Sequence, residues 1–381
     1  MKKLMITTAI ATSVLMSSAI AQTSITGELR INYKAIDAKK NPYGSATAGN
    51  GTIGTYNNQI TSQTTATMAT VADSAGEGTG NTYQGFGQEQ QINIQTKGKL
   101  NVLGLDYAAG MSIENDGDQG GTLFNENTYI DITNPSSKTT LSISRDHIQR
   151  SDSDRSAAVL VGFSPNDLSQ ASYATTTLFQ QNIGAQPGQS MGAAIIQGTP
   201  IGNFSVNFVP NTTVAASEDV TNDTKAVYEY GFVGDLGVKG LEAYYFANKD
   251  TDTVGTAIVK AEAKSWGAKY NMGQVSIGYA DKKYNSAATT LAETSEKHYG
   301  LSYAVNKDLT VGLLYAKASI AGDAGVNKDD EQIGTQKVKA IQVGYALGPV
   351  DLAASYAKNT DMLGVIGNDT NVAMVRLIGK F

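Results

Sequence analysis

Residues 371–381, Asn-Val-Ala-Met-Val-Arg-Leu-Ile-Gly-Lys-Phe, decide the fold. Side chains of a strand point alternately to its two sides, so Ala373, Val375, Leu377, Gly379 and Phe381 share one mostly apolar face. Arg376 and Lys380 stand on the other, in the company of Met374 and Ile378. Soluble proteins tend to have polar, frayed termini, and this strand is neither. It is expected to close a β-barrel with lipid outside and water inside.

The same device recurs upstream. Val275 to Ala280, Tyr299 to Ala304, Leu309 to Leu313, Ile341 to Ala346 and Leu352 to Ala357 each set Val, Leu, Ile or Tyr against Gly, Ala, Ser or Gln. A wall between lipid and water requires this pattern, whereas a soluble sandwich buries its apolar face against a second sheet. Tyr279, Tyr303, Tyr345 and Tyr356 fall on the lipid side, where their rings suit the headgroup level, and Trp266 with Tyr270 is expected to do the same.

Connection lengths alternate. Short links at Asn271 to Gln274, Val305 to Asp308 and Leu347 to Val350 are interleaved with long polar ones at Lys249 to Val259, Asn285 to Glu296, Ser319 to Thr335 and Asn359 to Asp369. Outer-membrane barrels keep short turns on one rim and long loops on the other. Counting back from Phe381 predicts strands starting near 370, 350, 336, 308, 295, 274, 258, 241 and 224. Upstream, strands are predicted at Phe204–Thr212, Ser190–Gln197, Lys138–His147, Asn127–Thr133, Leu100–Ile113, Gln88–Lys97 and Thr23–Ala35. The fold class is therefore all-β, a transmembrane antiparallel barrel of about sixteen strands; dropping or splitting one hairpin gives about fourteen or eighteen.

Lys2 and Lys3 precede an apolar run from Leu4 to Met16, followed by Ala19-Ile20-Ala21. This reads as a signal peptide over residues 1–21, because the run falls short of the ~20 residues a spanning helix needs. Residues 22–381 then form a single barrel domain with two inserts. The stretch 36–87 is rich in Gly, Ser, Thr, Ala and Asn and reads as a long external loop. The stretch 149–189 is too long for a plain connection, and loops of that length usually have a function. Within it Ser164 and Asp167 are placed to cap a short helical turn.

Removing Lys2 and Lys3 from 29 basic side chains leaves 27 against 35 acidic ones, a net charge of −8. That balance disfavours nucleic acid as a partner, which needs a concentrated basic surface, and mildly favours cations. With no cysteine, disulfides and thiolate metal sites are excluded. Only His147 and His298 are present, so catalysis has little support, and no cofactor is expected. Gly76-Glu77-Gly78-Thr79-Gly80 lacks the strand and helix of a dinucleotide loop. Asp116-Gly117-Asp118 and Asp329-Asp330-Glu331 lack EF-hand spacing and read as solvated acidic loops, so no metal site is assigned.

Taken together, the leader, the first strand, the Gly-Tyr-Ala repeats, the long insert after the fifth strand and Phe381 make the chain resemble the general Gram-negative porins, sixteen-stranded trimeric barrels. The resemblance implies a channel for passive diffusion of ions and small hydrophilic solutes, integral to the bacterial outer membrane among its lipid and lipopolysaccharide. It also implies a homotrimer, and a terminal Phe381 read by the barrel assembly machinery. The family folds the loop after strand five into the lumen as a constriction, which maps here onto 149–189. Its charges are Asp152, Asp154, Arg155 and Asp167, with Arg150 beside them. The family's facing basic wall maps onto Arg30, Lys34 and Arg376, with Glu28 on the same face of the first strand. Another reading makes the barrel a platform for long loops, as in a surface adhesin or receptor.

Overall fold

The computed structural model describes residues 22–38, 47–56, 63–70, 82–100, 104–115, 123–145, 156–169, 179, 192–209, 227–254, 257–285, 293–321, 335–362 and 369–381. Its strands are β1 (Gln22–Ala38), β2 (Thr47–Tyr56), β3 (Gln63–Thr70), β4 (Thr82–Lys99), β5 (Asp106–Asn115), β6 (Phe124–Asn134), β7 (Thr139–Arg145), β8 (Gly192–Thr199) and β9 (Gly202–Val209). They continue as β10 (Val227–Gly234), β11 (Leu241–Val254), β12 (Ala257–Met272), β13 (Val275–Asn285), β14 (Glu293–Ala304), β15 (Leu309–Ala321), β16 (Gln336–Ala346), β17 (Val350–Thr360) and β18 (Thr370–Lys380). Sixteen of them, β1 and β4 to β18, close into one antiparallel barrel in which each strand pairs with its sequence neighbours. β1 completes the ring by pairing with both β4 and β18. The described residues contain no helix long and apolar enough to cross a membrane, as expected where a closed sheet satisfies every backbone group.

Parity holds around the wall. Leu29, Ile31, Val375 and Leu377 are exposed on the outside, while Lys34, Val372 and Met374 are buried inside. Outside, Tyr279 lies 5.0 Å from Trp266 and 5.2 Å from Tyr299, whose ring stacks on Tyr315 at 5.8 Å. Tyr303, Tyr345 and Tyr356 are exposed on the same surface.

At the seam, Gly27 and Phe381 exchange backbone hydrogen bonds of 3.0 and 2.8 Å. A Cβ at position 27 would collide with the Phe381 ring, so the glycine leaves a flat seat for it. Elsewhere the tight turns use the left-handed backbone that glycine tolerates, as at Gly273 between β12 and β13 and Gly348 between β16 and β17.

Strand boundaries depart most clearly from the sequence reading in three regions. The stretch Lys249 to Val259, expected as a loop, continues the β11–β12 ladder from Lys249 opposite Glu262 up to Val254 opposite Ala257. Thr251, Thr253, Val254, Ile258 and Val259 are β-branched and suit a pleated surface. The 36–87 insert is shorter at both ends, since β1 runs to Ala38 and β4 starts at Thr82. Its Thr-rich segments pair as a separate two-stranded sheet, β2 with β3. The predicted strand from Leu100 begins only at Asp106, after Gly104 turns with φ of 65°. Residues 1–21 and both acidic triplets, at 116–118 and 329–331, lie outside the described residues.

Candidate functional site: a loop seated on the lumen wall

Residues 156–169, in the long insert between β7 and β8, run inside the barrel against the lumen face of β13 to β18. Their path follows small residues. A side chain at Gly278 or Gly300 would collide with the carbonyls of Ala157 and Ala158, and one at Gly312 with Val161. Gly278 and Gly300 are cross-strand partners in a row that runs on through Leu314, Ala340 and Ala357, while Gly344, Ala353, Arg376 and Asn32 lie in a second row nearer the short-turn rim. Together they let a polypeptide backbone lie directly on the wall.

Apolar contacts add to this. Phe163 and Leu168 are fully buried among Ile36, Leu314, Val338, Val372 and Met374, all on the lumen face. Each such side chain contributes about 1.5–3 kcal/mol when removed from water. Met374, out of place on a polar inner face by the sequence reading, is therefore part of the seat.

Wall side chains then tie the segment down. Ser156 Oγ lies 2.9 Å from His298 Nδ1 on β14. Gln342 on β16 accepts from Phe163 N at 3.3 Å and donates to Phe163 O at 3.0 Å. Asn359 on β17 donates to Leu168 O at 2.8 Å. Arg376 on β18 donates to Gly162 O at 3.1 Å and to Asp167 Oδ1 at 3.2 Å, with its guanidinium 4.9 Å from the Phe163 ring centre. Its Nε is held at 2.7 Å by Asn32 Oδ1 on β1, so the planar fork is aimed by the neighbouring strand. Asp167 also closes a turn, accepting from Ser164 N at 2.9 Å and Ser164 Oγ at 3.0 Å while its own N–H donates to that hydroxyl at 3.2 Å. This is the capping turn expected from the sequence.

Ser156, His298 and Glu296 form a relay, with His298 Nε2 3.1 Å from Glu296 Oε2. Nucleophilic catalysis uses that connectivity. Here the histidine and glutamate are 2% and 1% exposed, and the Phe179 ring sits 5.7 Å from the imidazole, so both groups are packed away from solvent. The relay latches the loop.

The charges expected to face each other across the lumen are distributed differently. Arg376 and Lys34 are lumen-facing but lie beneath the loop, and Lys34 is within electrostatic range of Asp167 and Arg376. Arg30 pairs with Glu28 beside it and with Glu89 of β4 at 2.6 Å. Asp152, Asp154 and Arg155 lie outside the described residues. Across β4 to β9 the lumen face is polar, with Asn207 donating to Glu229 at 2.8 Å. Near the short-turn rim it opens into a cavity of about 810 Å³ lined by Lys97, Lys99, Asp106, Asp131, Lys138 and Asn203.

A closed antiparallel ring of sixteen strands has solved counterparts. The chain is similar to OmpF of Salmonella typhi, solved in complex with daunomycin, at 11% identity over 94% of this chain and 97% of that one, with a TM-score of 0.58. It is similar to the outer membrane channel DcaP of Acinetobacter baumannii at 10% identity over 96% and 99% of the two chains, again with a TM-score of 0.58. This chain has the porin fold. A Rhodopseudomonas blastica porin matches at 13% identity over 94% of this chain and all of that one, with a TM-score of 0.51. Identities this low make the likeness one of fold. No family model and no curated protein matches the sequence.

Within the porin fold, sequence reasoning found Asp167 and Arg376 but missed Gln342, His298 and Asn359. They occupy inward positions among Gly and Ala, and a lone polar residue there is indistinguishable from ordinary lumen lining. The glycine row was visible only as small residues opposite tyrosines.

Proposed function

We propose that the protein is an outer-membrane porin, a channel through which ions and small hydrophilic solutes pass by passive diffusion. The observation that carries this reading is the loop segment 156–169 held inside a closed barrel whose remaining lumen face is polar. A ring of this strand number is wide enough for an aqueous passage. The seated loop takes up part of that width, and size and charge then select among solutes.

In this reading residues 1–21 are the export leader, the barrel assembles as a homotrimer, and the 149–189 insert is the constriction. Asp167 and Arg376 fix the loop, while Asp152, Asp154 and Arg155, just before its seated part, supply charge to the opening. Glu28, Arg30 and Glu89 stand on the open wall with two carboxylates to one guanidinium, which with the acidic chain favours cations.

Single-channel recording of the purified protein in planar bilayers tests the proposal. Stable conductance steps with a cation-selective reversal potential in a salt gradient are expected. A folded barrel that stays silent would favour the loop-platform reading instead.

A further inference from the structure

The charges around the lumen cavity near the short-turn rim do not balance among themselves. Lys97 and Lys99 of β4, Asp106 of β5, Asp131 of β6 and Lys138 of the β6–β7 turn all line its space of about 810 Å³. Lys99 is bonded to Asp106 at 3.0 Å. Among the described residues Lys97 and Lys138 have no carboxylate partner. Ser142 of β7 lines the same cavity and is 1% exposed, yet its Oγ has no hydrogen-bond partner among the described residues. A buried hydroxyl left in that state is unfavourable, and one at a cavity wall is satisfied by what enters the cavity.

This place is separate from the loop seat. Lys97 stands opposite Gln22, six residues along β1 from Glu28 and so roughly 20 Å nearer the rim. None of Arg30, Lys34, Asp167 or Arg376 lines the cavity. Its volume is that of a small-molecule site, about 300–1,000 Å³.

Two unpaired ammonium groups select an anion, since each forms a charge-assisted hydrogen bond to it. Asp106 and Asp131 at the same cavity repel a bare anion, so the occupant must also bring donors. Ser142 and Asn203 offer further hydroxyl and amide partners, and Ile196 gives the wall an apolar patch suited to the C–H face of a sugar ring. We propose that the cavity binds a sugar acid, a small polyhydroxylated carboxylate, with its carboxylate held by Lys97 and Lys138 and its hydroxyl groups donating to Asp131 and meeting Ser142 Oγ. The proposal rests on the porin reading, in which the solute arrives through the lumen, and names one solute class for it. Glu28, Arg30 and Glu89 favour cations, so an anion on this path needs cations of its own further along.

Calorimetric titration of the full-length, detergent-purified barrel tests it, with gluconate, glucose, acetate and glycine each added in turn. Gluconate is expected to bind at least about tenfold more tightly than glucose, which lacks the charge, or acetate, which lacks the hydroxyl groups. Glycine, a zwitterion without hydroxyl groups, should bind no better than acetate. The K97Q/K138Q variant should lose the preference for gluconate over glucose, K97R/K138R should keep it, and S142A should weaken gluconate binding a few-fold. The single variants K97Q and K138Q stand in should the double one fail to fold, as judged by heat-modifiable migration. Equal binding of gluconate and acetate, tighter binding of glycine, or unchanged gluconate binding by the Gln variants overturns the proposal. Conductance measured on the same preparations separates the two readings. Conducting barrels without a gluconate preference break this proposal alone, and silent wild-type barrels that still bind gluconate break the porin reading alone.

Discussion

On β4 to β9 the inner face carries Glu89, Gln91, Asn93, Ser112, Glu114, Asp131, Ser142 and Asn207, while on β13 to β18 it carries Gly278, Gly300, Leu314, Ala316, Val338, Ala340, Ala357 and Met374. Both halves alternate with the same period, and both turn Ile, Leu, Val or aromatic side chains outward. They differ in what touches them from inside. One half leaves polar groups such as Arg30 and Glu89 partly open, and the other is covered by residues 156–169. An inward-facing strand residue can therefore be apolar where protein covers it, and the polar ones kept there, such as Gln342 and Asn359, are bonded to the loop.

The comparison breaks most readily at the glycine row. Gly278→Val with Gly300→Val sets two side chains where the loop carbonyls lie. The loop should be forced off, forfeiting about 3–6 kcal/mol from Phe163 and Leu168 together. Larger single-channel conductance and rapid proteolysis within 149–189, with heat-modifiable migration unchanged, are the expected readouts. Unchanged conductance in that variant would mean the loop does not depend on its seat. Similar substitutions on the open wall, Gln91→Val and Asn93→Val, should leave loop proteolysis at the wild-type rate.

Arg376→Gln is next in size. It removes the charge facing Asp167 and the contact over Phe163, and a part-buried pair of this kind is expected to contribute about 1–3 kcal/mol once solvent screening is allowed for. Noisier open-channel current and faster loop cleavage should follow. Gln342→Leu should cost the loop about 1–2 kcal/mol through the two lost bonds to Phe163, and hydrogen exchange at the Phe163 amide measures it. Glu89→Gln, on the open wall, should leave the loop untouched and move the reversal potential slightly toward anions. A shift in loop proteolysis for that last variant would erase the distinction between the halves.

Much of the barrel was legible because its signals are local. Alternation fixed the faces of β13 to β18, and turn lengths fixed the rims. The insert after β7 stood out by length alone, and the Ser164–Asp167 turn by its spacing. The seat was not legible, because it arises from the meeting of segments more than a hundred residues apart, as in Ser156 with His298 and Phe163 with Gln342. Met374 was the one visible trace, an apolar residue on a face expected to be wet. Arg376 was placed on the correct face, yet its task as an anchor depends on a loop whose path no strand pattern encodes.

The Phe381 ring lying on Gly27 has a bearing on how the seam finds its frame. A slip of one residue between β1 and β18 turns Leu377 inward and Arg376 outward, so the sorting of faces rejects it. A slip of two keeps every face correct and escapes that test. It would, however, bring the ring against the side chain of Ile25 or Leu29, where glycine now leaves a bare surface. The notch at position 27 thus works as a vernier, distinguishing offsets that hydrophobic sorting alone treats as equal.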